Sequence, residues 1–462
     1  MTPHLSTELL REFDVAGPRY TSYPTADRFV EAFGPREYRT ALRARAHGGG
    51  AARGGGLSVY VHVPFCESVC YYCACNKVVT RDHGRAGSYL DTLEQEIALH
   101  VEQLGDSQAV SQLHLGGGTP TFLSDVELDR LVALLESAFR FEPGCERSIE
   151  VDPRTVDAGR LRHLRSLGFN RLSLGVQDFD PDVQRAVHRV QSFESVQALL
   201  GAAREMGFAS TNLDLIYGLP RQTPASFART LEQVCSLRPE RIALYAYAHL
   251  PKRFKPQRRI DVAMLPDPAH KLVMLSQAIA RFGADGYTYI GMDHFALPDD
   301  ELAVAKAQGR LERNFQGYST QPECDVIGLG VSAIGRVGGV YAQNAKDIAE
   351  YGHAIAQGDF ATERGLCLSR DDVVRRAVIA GLMCQGRVDF ESIGLAHLIR
   401  FADYFRPEID SLRRLEAGGL VELDDASIEV TALGWYFVRA IAMVFDKHLQ
   451  ADRARDRYSR IL

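Results

Sequence analysis

From Leu57 onward, short apolar runs alternate with amphipathic helical stretches, and this alternation limits the possible folds more than any other feature. The stretches between the runs place apolar residues three and four apart, as amphipathic helices do. Continuous apolar strands separated by helices are typical of a parallel sheet that helices cover. The predicted strands are 57–63, 112–115, 148–151, 171–175, 211–216 and 241–245, and the predicted helices between them are 88–104, 125–139, 158–167, 192–206 and 224–237.

Two architectures fit this series of six β–α units. Right-handed crossovers between consecutive parallel strands would curl the sheet into a barrel or a partial barrel. An open, doubly wound sheet has the same alternation, so the pattern alone leaves both possible. In either fold the carboxyl ends of the strands share one edge, where active sites are built.

Polar or glycine-rich segments stand at the end of every predicted strand. Their repeated position predicts a single functional site at the carboxyl edge of the sheet. In strand order they are the cysteine loop from Cys66, the segment GGGTP at 116–120, Glu150 with Asp152, Gln177 with Asp178, Asp214 with the segment YGLP at 217–220, and Tyr245 with Tyr247 and His249.

The loop after the first strand contains four cysteines in ten residues: Cys66, Cys70, Cys73 and Cys75. The first three have the spacing C-x3-C-x2-C, which would give an iron–sulfur cube three protein ligands and leave one iron open. Four close cysteines can also bind Zn²⁺, although zinc sites usually consist of two C-x2-C halves separated by a longer loop. The cysteines alone leave an iron–sulfur cluster, a zinc site and redox thiols as alternatives.

The composition limits the partners of the chain. It has 462 residues, 46% of them hydrophobic, and a net charge of −6, which gives no sign of nucleic-acid binding. No apolar stretch approaches the ~20 residues of a membrane-spanning helix, and the charged amino terminus does not resemble a signal peptide. We therefore expect a cytoplasmic protein without membrane or nucleic-acid partners, and a flexible surface connection at the glycine-rich run 47–56.

The segment GGGTP lacks the Lys and Ser/Thr of a phosphate-binding P-loop. Three glycines after a strand allow a ligand to lie against the backbone, although an isolated GGG is also a common tight turn. Glu150 and Asp214 could bind ribose hydroxyls or an ammonium group, or could simply be solvated or cap helices. Gln177 and Arg189 add an amide and a cation, and Arg189 could equally be a surface residue.

An open-iron cube beside a glycine loop and two carboxylates fits S-adenosylmethionine bound through its amino and carboxylate groups. Iron–sulfur potentials extend to roughly −700 mV, so reductive cleavage of the sulfonium to a 5′-deoxyadenosyl radical is accessible. In such a site the cofactors carry the chemistry, and the protein orients and shields them.

These motifs resemble those of the radical S-adenosylmethionine superfamily, and more closely those of the oxygen-independent coproporphyrinogen III oxidases. The resemblance covers nearly the whole chain. The segments that carry it are GPRYTSYPTA (17–26), YVHVPFCESVCYYCACNK (60–77), HLGGGTPTFL (114–123), SIEVDPR (148–154), GVQDFD (175–180), NLDLIYGLP (212–220), YAYAHLP (245–251), GMDHFA (291–296), RNFQGYST (313–320) and GLGVSAIG (328–335).

The resemblance implies an α/β fold, a partial (βα)6 TIM-like barrel with an amino-terminal lid segment and a smaller, mostly helical carboxyl-terminal domain. It places the segment that covers the barrel mouth at 1–56, the barrel with its extension at 57–364 and the carboxyl-terminal domain at 365–462. In the last of these, apolar spacing predicts helices in 370–384 and 395–416, then a short strand and a final helix that carries Trp435 within 428–446.

The resemblance also implies the site residues. Cys66, Cys70 and Cys73 would ligate one 4Fe-4S cluster, and Cys75 would be a fourth cysteine that does not. The family holds two S-adenosylmethionine molecules. The cluster-bound one would contact Tyr60, Gly117, Glu150 and Ile334, the second would contact Tyr72, Gly118, Thr119, Gln177, Arg189, Asp214 and Ala248, and the catalytic residues would be Tyr60, His62, Cys75 and Glu150.

The implied reaction converts two propionates of coproporphyrinogen III to vinyl groups, giving protoporphyrinogen IX. The implied partners are this substrate, an external low-potential electron donor and an electron acceptor, and the implied state is a monomer. Arg19, Tyr20 and Lys77 are candidates for binding the substrate carboxylates, although Arg19 could be a surface charge and Tyr20 a core residue. His188 departs from the family pattern, which has an asparagine before Arg189.

Two rival functions remain. A related group of haem chaperones binds haem without dehydrogenase activity, but that group lacks the fourth cysteine and the RYTSYPT segment, both of which this chain has. A non-catalytic zinc protein would not require polar residues at all six strand ends.

Overall fold

The structure is a computed structural model that describes residues 9, 12–13, 15–48, 56–105, 108–321 and 324–451. Most of the glycine-rich run at 47–56 therefore lies outside the described residues. The chain divides into two compact units. The large unit consists of Phe29–Met274 and Glu323–Cys367, and the small unit of Met1–Arg28, Leu275–Pro322 and Leu368–Leu462. The predicted boundaries at 56/57 and 364/365, and a lid over the barrel mouth, stay predictions.

The strands are short and are numbered here in chain order. They are Leu57–Val63 (β1), Phe65–Cys66 (β2), Val78–Val79 (β3), Ala109–Gly117 (β4), Arg140–Val151 (β5), Arg171–Gln177 (β6), Ser210–Tyr217 (β7), Arg241–Ala246 (β8), Thr288–Gly291 (β9), His294–Ala296 (β10), Glu312–Asn314 (β11), Gly317–Ser319 (β12), Asp325–Leu329 (β13), Ile334–Val337 (β14), Val340–Asn344 (β15), Thr362–Cys367 (β16), Arg387–Asp389 (β17), Val421–Leu423 (β18) and Ser427–Val430 (β19).

The helices are numbered in the same way. They are Pro35–Ala46 (α1), Gly84–Leu104 (α2), Asp125–Ala138 (α3), Ala158–Ser166 (α4), Pro181–Ala186 (α5), Phe193–Glu205 (α6), Pro224–Leu237 (α7), Pro268–Ala284 (α8), Glu301–Ala307 (α9), Ile348–Ala356 (α10), Arg370–Ala380 (α11), Phe390–His397 (α12), Phe401–Tyr404 (α13), Arg406–Ala417 (α14), Val438–Met443 (α15) and Lys447–Ala451 (α16).

The six predicted strands are confirmed as β1, β4, β5, β6, β7 and β8, and they lie side by side in that order, all parallel. Strands that follow one another in the chain are therefore neighbours in the sheet. In a doubly wound sheet the order of the strands reverses at a switch point. The order from β1 to β8 has no such reversal, so the alternative of a doubly wound sheet is wrong. The order is that of a partial (βα)6 barrel, as predicted.

The helices between these strands also match the prediction. Several of them begin at capping residues. Ser124 begins α3 and accepts a hydrogen bond from the backbone N–H of Glu127, whose carboxylate accepts one from the backbone N–H of Ser124. Asp157 and Thr223 cap α4 and α7 in a similar way. Such caps satisfy backbone N–H groups that have no partner within the helix.

On the side of β1, four strands extend the sheet beyond the predicted six. β13 lies on the other side of β1 and runs parallel to it, pairing Tyr60 with Gly328. β14, β15 and β16 continue the sheet from β13 as antiparallel strands. The turn between β13 and β14 therefore lies beside the carboxyl end of β1.

The small unit is mostly helical and contains two hairpins, β9–β10 and β11–β12, and a sheet in the order β17-β19-β18. The region 395–416 forms parts of three helices, because Leu398 has a left-handed φ of 54° and Pro407 lies in the first turn of a new helix that begins at Arg406. Trp435 was predicted on the final helix, which is wrong: it lies in a 3-10 turn, Gly434–Phe437, before α15. None of the helices in the described ranges is both long and apolar enough to cross a membrane.

Candidate functional site

The predicted cofactor-binding and cluster residues all belong to the large unit, where they follow the carboxyl ends of its parallel strands. The cysteine loop starts at β2, directly after β1. Backbone hydrogen bonds join this loop to the glycine segment: Gly118 N–H donates to Val63 O (2.8 Å) and Thr119 N–H to Phe65 O (2.8 Å). The two motifs therefore form one structure at the end of β1 and β4.

Polar side chains donate hydrogen bonds to two of the cysteine sulfurs. Thr119 Oγ1 lies 3.3 Å from Cys66 Sγ. Guanidinium nitrogens of Arg189 and Arg154 lie 3.5 Å and 3.7 Å from Cys70 Sγ. Burial raises the pKa of the Cys66 thiol to about 11, and the Thr119 hydrogen bond opposes that rise. Donors of this kind stabilise a thiolate better than a thiol.

Asp152 holds both arginines in place. Its carboxylate accepts hydrogen bonds from Arg154 at 2.6 Å and from Arg189 at 3.2 Å, and both Asp152 and Arg189 are buried. Burial alone would raise the pKa of Asp152, but the two arginines hold it below its usual value. Arg189 also donates to the backbone oxygen of Gly175 at 2.6 Å. Its guanidinium therefore has a fixed orientation, and the possibility that Arg189 is a surface residue is wrong.

Cys73 and Cys75 interact with each other. The hydrogen bond from the Cys75 thiol, with the nearby charge of Lys77, lowers the pKa of Cys73 to about 5, although burial opposes this. The same contact raises the pKa of Cys75 well above its ordinary value. Lys77 Nζ lies 3.5 Å from the backbone oxygens of Cys73 and Cys75. The contact therefore favours the thiolate form of Cys73 and the thiol form of Cys75, which is exposed.

The donor set fits an iron–sulfur cube. A Zn²⁺ ion gathers all its thiolates at about 2.3 Å from one point, whereas in a cube each cysteine binds a different iron. Three cysteines on one loop, surrounded by the cationic side chains of Arg154, Arg189 and Lys77, suit a cluster that carries thiolate charge.

Two glycines of the GGGTP segment, Gly117 and Gly118, are required by close contacts within the protein. A Cβ on Gly118 would lie 2.7 Å from the backbone of Pro64, and one on Gly117 would lie 2.6 Å from the ring of His62. Gly117 also has a φ of 114°, which side chains rarely adopt. The segment is thus more than an isolated tight turn, because it brings the end of β4 against β1 and the cysteine loop.

Tyr60, His62 and Glu150 lie together at the ends of β1 and β5. His62 Nε2–H donates to the backbone oxygen of Asn76 (2.9 Å), so its Nδ1 accepts from the Tyr60 hydroxyl (3.0 Å). Burial lowers the pKa of His62, which keeps it neutral. Burial opposes ionisation of Glu150, but His114, 3.5 Å away, and the N–H of Gly117 at 3.1 Å hold its pKa below its usual value.

The residues predicted for a second S-adenosylmethionine occupy neighbouring strand ends. Asp214 accepts hydrogen bonds from Asn212 (2.8 Å) and Ser173 (3.2 Å), and burial, then the charge of Glu150, raises its pKa to about 7. Gln177 has a left-handed φ of 70° and its amide lies beside Gly175 and Arg189.

Tyr72 and Ala248 are joined by a residue that the sequence analysis did not identify. The buried side chain of Gln257 donates from Nε2 to the backbone oxygens of Tyr72 (3.0 Å) and Ala248 (3.2 Å). Its only sequence signal was its position in a basic segment after the sixth predicted strand.

The departure at His188 has a structural explanation. His188 has a φ of 55°, in the left-handed region where Asn and His are both enriched. Its ring stacks on Tyr71 with 5.1 Å between centroids, and Nδ1–H donates to Val69 O at 2.9 Å. Tyr71 N–H donates in turn to Val187 O at 3.0 Å. His188 therefore supports the cysteine loop.

Ile334 begins β14, and its backbone packs against Gly328, the residue paired with Tyr60. The turn before it is held by Glu96 of α2, which the sequence analysis missed. The buried Glu96 carboxylate accepts from Gly330 N–H (2.7 Å) and Tyr351 OH (2.8 Å). Burial raises its pKa to about 7 against these hydrogen bonds.

The candidates for the substrate carboxylates are divided between the units. Lys77 belongs to the large unit, whereas Arg19 and Tyr20 belong to the small unit. Arg19 pairs with Asp293 at 2.5 Å and remains partly exposed. Tyr20 is buried, which agrees with the alternative that it is a core residue. Its hydroxyl donates to Asp446 at 3.0 Å.

Comparison with known proteins finds full-length relatives. The family model described as the radical SAM superfamily matches residues 60–234, and that of the HemN C-terminal domain matches residues 368–437. The chain is 49% identical to the oxygen-independent coproporphyrinogen III oxidase of Pseudomonas aeruginosa and 49% identical to that of Escherichia coli, in both cases over 98% of each chain. The solved structure of coproporphyrinogen III oxidase from Escherichia coli, described as a radical SAM enzyme, matches with a TM-score of 0.91 and 48% identity, covering 97% of this chain and 100% of that one.

Proposed function

The chain belongs to the oxygen-independent coproporphyrinogen III oxidases of the radical SAM superfamily, and on this basis we propose that it converts coproporphyrinogen III to protoporphyrinogen IX without oxygen. In this reaction each of two propionate side chains loses a β-hydrogen atom, CO₂ and one electron, and becomes a vinyl group. The observation that carries the proposal is the 49% identity over 98% of the chain to relatives that are named for this activity.

The cluster would be held by Cys66, Cys70 and Cys73. The donors to the sulfurs, Thr119, Arg154 and Arg189, support this assignment, because they favour thiolates. Cys75 would stay outside the coordination shell. Its exposure and its raised pKa support that role.

Two molecules of S-adenosylmethionine would bind beside the cluster. For the first, Tyr60, Gly117, Glu150 and Ile334 would form the site, and the ionised Glu150 carboxylate suits an ammonium or ribose hydroxyl. The second would be bound by Tyr72, Gly118, Thr119, Gln177, Arg189, Asp214 and Ala248.

When bound, the cluster and S-adenosylmethionine would supply a carbon-centred radical able to remove a hydrogen atom from an unactivated propionate carbon. The residues of the chain position and shield that chemistry. His62 fixes Asn76, and through it the segment after Cys75, because its Nε2–H is committed to the Asn76 carbonyl. Tyr60, His62, Cys75 and Glu150 would lie nearest the reacting atoms. No general base tuned near neutral pH is needed, since the propionate β C–H is not acidic.

The proposal includes an external low-potential electron donor, an electron acceptor, a monomeric state and a cytoplasmic location. The substrate has four carboxylates, and Arg19, Tyr20 and Lys77 stay candidates for binding them. The domain boundaries at 56/57 and 364/365, with the first segment covering the barrel mouth, are also part of the proposal.

The test is anaerobic incubation of the reconstituted protein with coproporphyrinogen III, S-adenosylmethionine and dithionite. We expect protoporphyrinogen IX, methionine and 5′-deoxyadenosine as products. A fully reconstituted cluster that yields none of them would contradict the proposal. Haem binding without turnover would instead favour the chaperone function.

A further inference from the structure

A basic segment, residues 252–259, lies beside the cysteine loop, and its cations have no part in the proposed site. It contains Lys252, Arg253, Lys255, Arg258 and Arg259, which are five cations in eight residues of a chain whose net charge is −6. All five are exposed. The net charge of the whole chain conceals this local concentration of positive charge.

The segment is attached directly to the loop that carries the cluster ligands. Gln257, at its centre, is buried and donates to the backbone oxygen of Tyr72 at 3.0 Å. The Arg259 guanidinium lies 5.3 Å from the centroid of the Tyr71 ring. Tyr71 and Tyr72 lie between Cys70 and Cys73, so the segment contacts the stretch that separates two of the proposed cluster ligands.

The positive charges are not neutralised by neighbours. None of the five cations forms an ion pair with a carboxylate in the ranges that the structure describes; their side-chain partners are the Pro251 carbonyl and the rings of Phe254 and Tyr71. The charge also continues along the cysteine loop. Asn76 donates to the backbone oxygen of the exposed Lys346 at 2.9 Å. Partial burial lowers the pKa of Lys346, the charges of Arg364 and Arg253 contribute to this shift, and the carboxylate of Glu363 opposes it.

We propose that this segment is the docking surface for an acidic one-electron carrier protein that reduces the cluster. The inference rests on the proposed function, because only a bound cluster would need the electron. One electron passes from the reduced carrier to the cluster, so the carrier is oxidised by one electron and the cluster is reduced by one. No atom or proton is transferred.

The surface chemistry favours a protein carrier over the other anionic candidates. Electron-transfer encounters use small, charge-complementary surfaces below about 1,200 Å² in total, and unpaired surface cations raise the association rate of an acidic partner. A substrate tetracarboxylate would be fixed by buried or bidentate donors, whereas these five side chains are exposed. The position also suits the purpose, because a carrier seated on the segment would lie against Tyr71 and Tyr72 of the cluster loop.

The test compares two matched triple variants in the cluster-loaded protein. The first, Lys252→Gln with Arg253→Gln and Lys255→Gln, removes three charges whose side chains make no hydrogen bond in the described structure. The control, Arg36→Gln with Arg140→Gln and Arg162→Gln, removes three exposed charges on α1, at the start of β5 and on α4. Anaerobic stopped-flow absorbance follows cluster reduction by reduced flavodoxin, an acidic one-electron carrier, and calorimetry measures flavodoxin binding at low and high salt.

We expect the first variant to lower the second-order rate constant for reduction by flavodoxin about tenfold and to weaken its salt dependence. The control should change that rate constant by less than about twofold. With dithionite as reductant, both variants should equal the parent protein in cluster reduction and in KM for coproporphyrinogen III.

Three results would overturn the inference: no binding of flavodoxin to the parent protein, equal losses in both variants, or a raised KM for coproporphyrinogen III with dithionite, which would assign the segment to the substrate. Failure of the proposed function looks different. In that case the reconstituted parent protein would hold no cluster or would form no vinyl product with dithionite, and the inference would fall with it.

Discussion

Asp152 and Arg189 form a buried ion pair, with 3.2 Å between the carboxylate oxygen and the guanidinium nitrogen, and the same guanidinium donates to Cys70 Sγ at 3.5 Å. The Asp152 carboxylate thereby orients the Arg189 guanidinium toward Cys70, a proposed cluster ligand. Arg154 is held by the same carboxylate and reaches the same sulfur at 3.7 Å. Hydrogen bonds to sulfur and local charge are two of the factors that set iron–sulfur potentials.

Arg189→Gln should make the midpoint potential of the cluster more negative. The substitution removes a positive charge and a hydrogen-bond donor from the Cys70 sulfur, and both losses destabilise the reduced cluster, which carries one more negative charge. We expect a shift of about 60 mV, which is a factor of ten for a one-electron couple. The measurement is an EPR-monitored redox titration without S-adenosylmethionine. Arg162→Gln, on the exposed side of α4, is the control, and a potential equal to that of the parent protein would contradict the role of Arg189.

Cys75→Ser should leave the cluster assembled, whereas Cys73→Ser should prevent its assembly. The spacing C-x3-C-x2-C makes Cys73 the proposed ligand, and the contact with Cys75 lowers the pKa of the Cys73 thiol to about 5. A serine at position 75 retains an O–H that can donate to the Cys73 sulfur. Iron and sulfide content with the visible spectrum measures the outcome. Loss of the cluster in Cys75→Ser would show that Cys75 is a cluster ligand and would contradict the prediction.

The fold was largely predictable because each β–α unit is specified locally, by an apolar strand, a capped helix and a polar strand end. The antiparallel extension β13–β16 was not predicted as such. Its strands are four to six residues long and have no helices between β13 and β16 other than α10, so they lack the periodic signal of the first six. Trp435 was misplaced because a 3-10 turn before α15 has the same apolar spacing as the helix.

The sequence was sufficient to predict which segments meet at the candidate site. Glu150, Asp214 and the cysteine loop could be placed together because strand ends in a parallel sheet share an edge. The contacts of Arg189 could not, since its distance from Cys70 depends on how the segment after α5 folds back through the left-handed residue His188. Glu96 and Gln257 act through backbone groups far away in sequence, which no local pattern reveals.

Asp214→Asn should reduce the dependence of stability on pH in the protein without S-adenosylmethionine. The folded state raises the pKa of Asp214 to about 7, so between pH ~4 and ~7 the folded state holds a proton that the unfolded chain has lost. The contribution of Asp214 to the free energy of unfolding is fully present below about pH 4, the pKa of the unfolded chain, and is lost as the pH rises through about 7. Asparagine does not titrate, so the fall in unfolding free energy between pH 5 and pH 8 should shrink by a few kcal/mol.

Denaturant unfolding at pH 5 and pH 8 measures this effect. The pKa values of Asp178 and Glu96, which burial raises to about 6 and about 7, act in the same direction, so the dependence should become weaker without vanishing. Equal pH dependence in the variant and the parent protein would show that Asp214 is ionised in the folded state at low pH.

Gly118→Ala should destabilise the protein by about 2–4 kcal/mol and lower its cluster content. The new Cβ would lie 2.7 Å from the backbone of Pro64, so the glycine segment must move away from β1 and from the cysteine loop. Gly201→Ala is the matched control, because Gly201 lies within α6 with open space around it and should gain about 0.5–1 kcal/mol. Denaturant unfolding and iron content are the measurements, and equal behaviour of the two variants would contradict the prediction.

His188→Asn should keep the fold and the cluster but speed the loss of the cluster to a chelator by about ten- to thirtyfold. Asparagine tolerates the left-handed φ of 55°, so the backbone should be unchanged. The substitution removes the stacking on Tyr71 and the hydrogen bond to Val69 O, each worth about 1 kcal/mol. Decay of the cluster's absorbance in EDTA measures the rate. His353→Asn, at an exposed position on α10, is the control. A decay in His188→Asn as slow as in that control would show that the cysteine loop is held without His188.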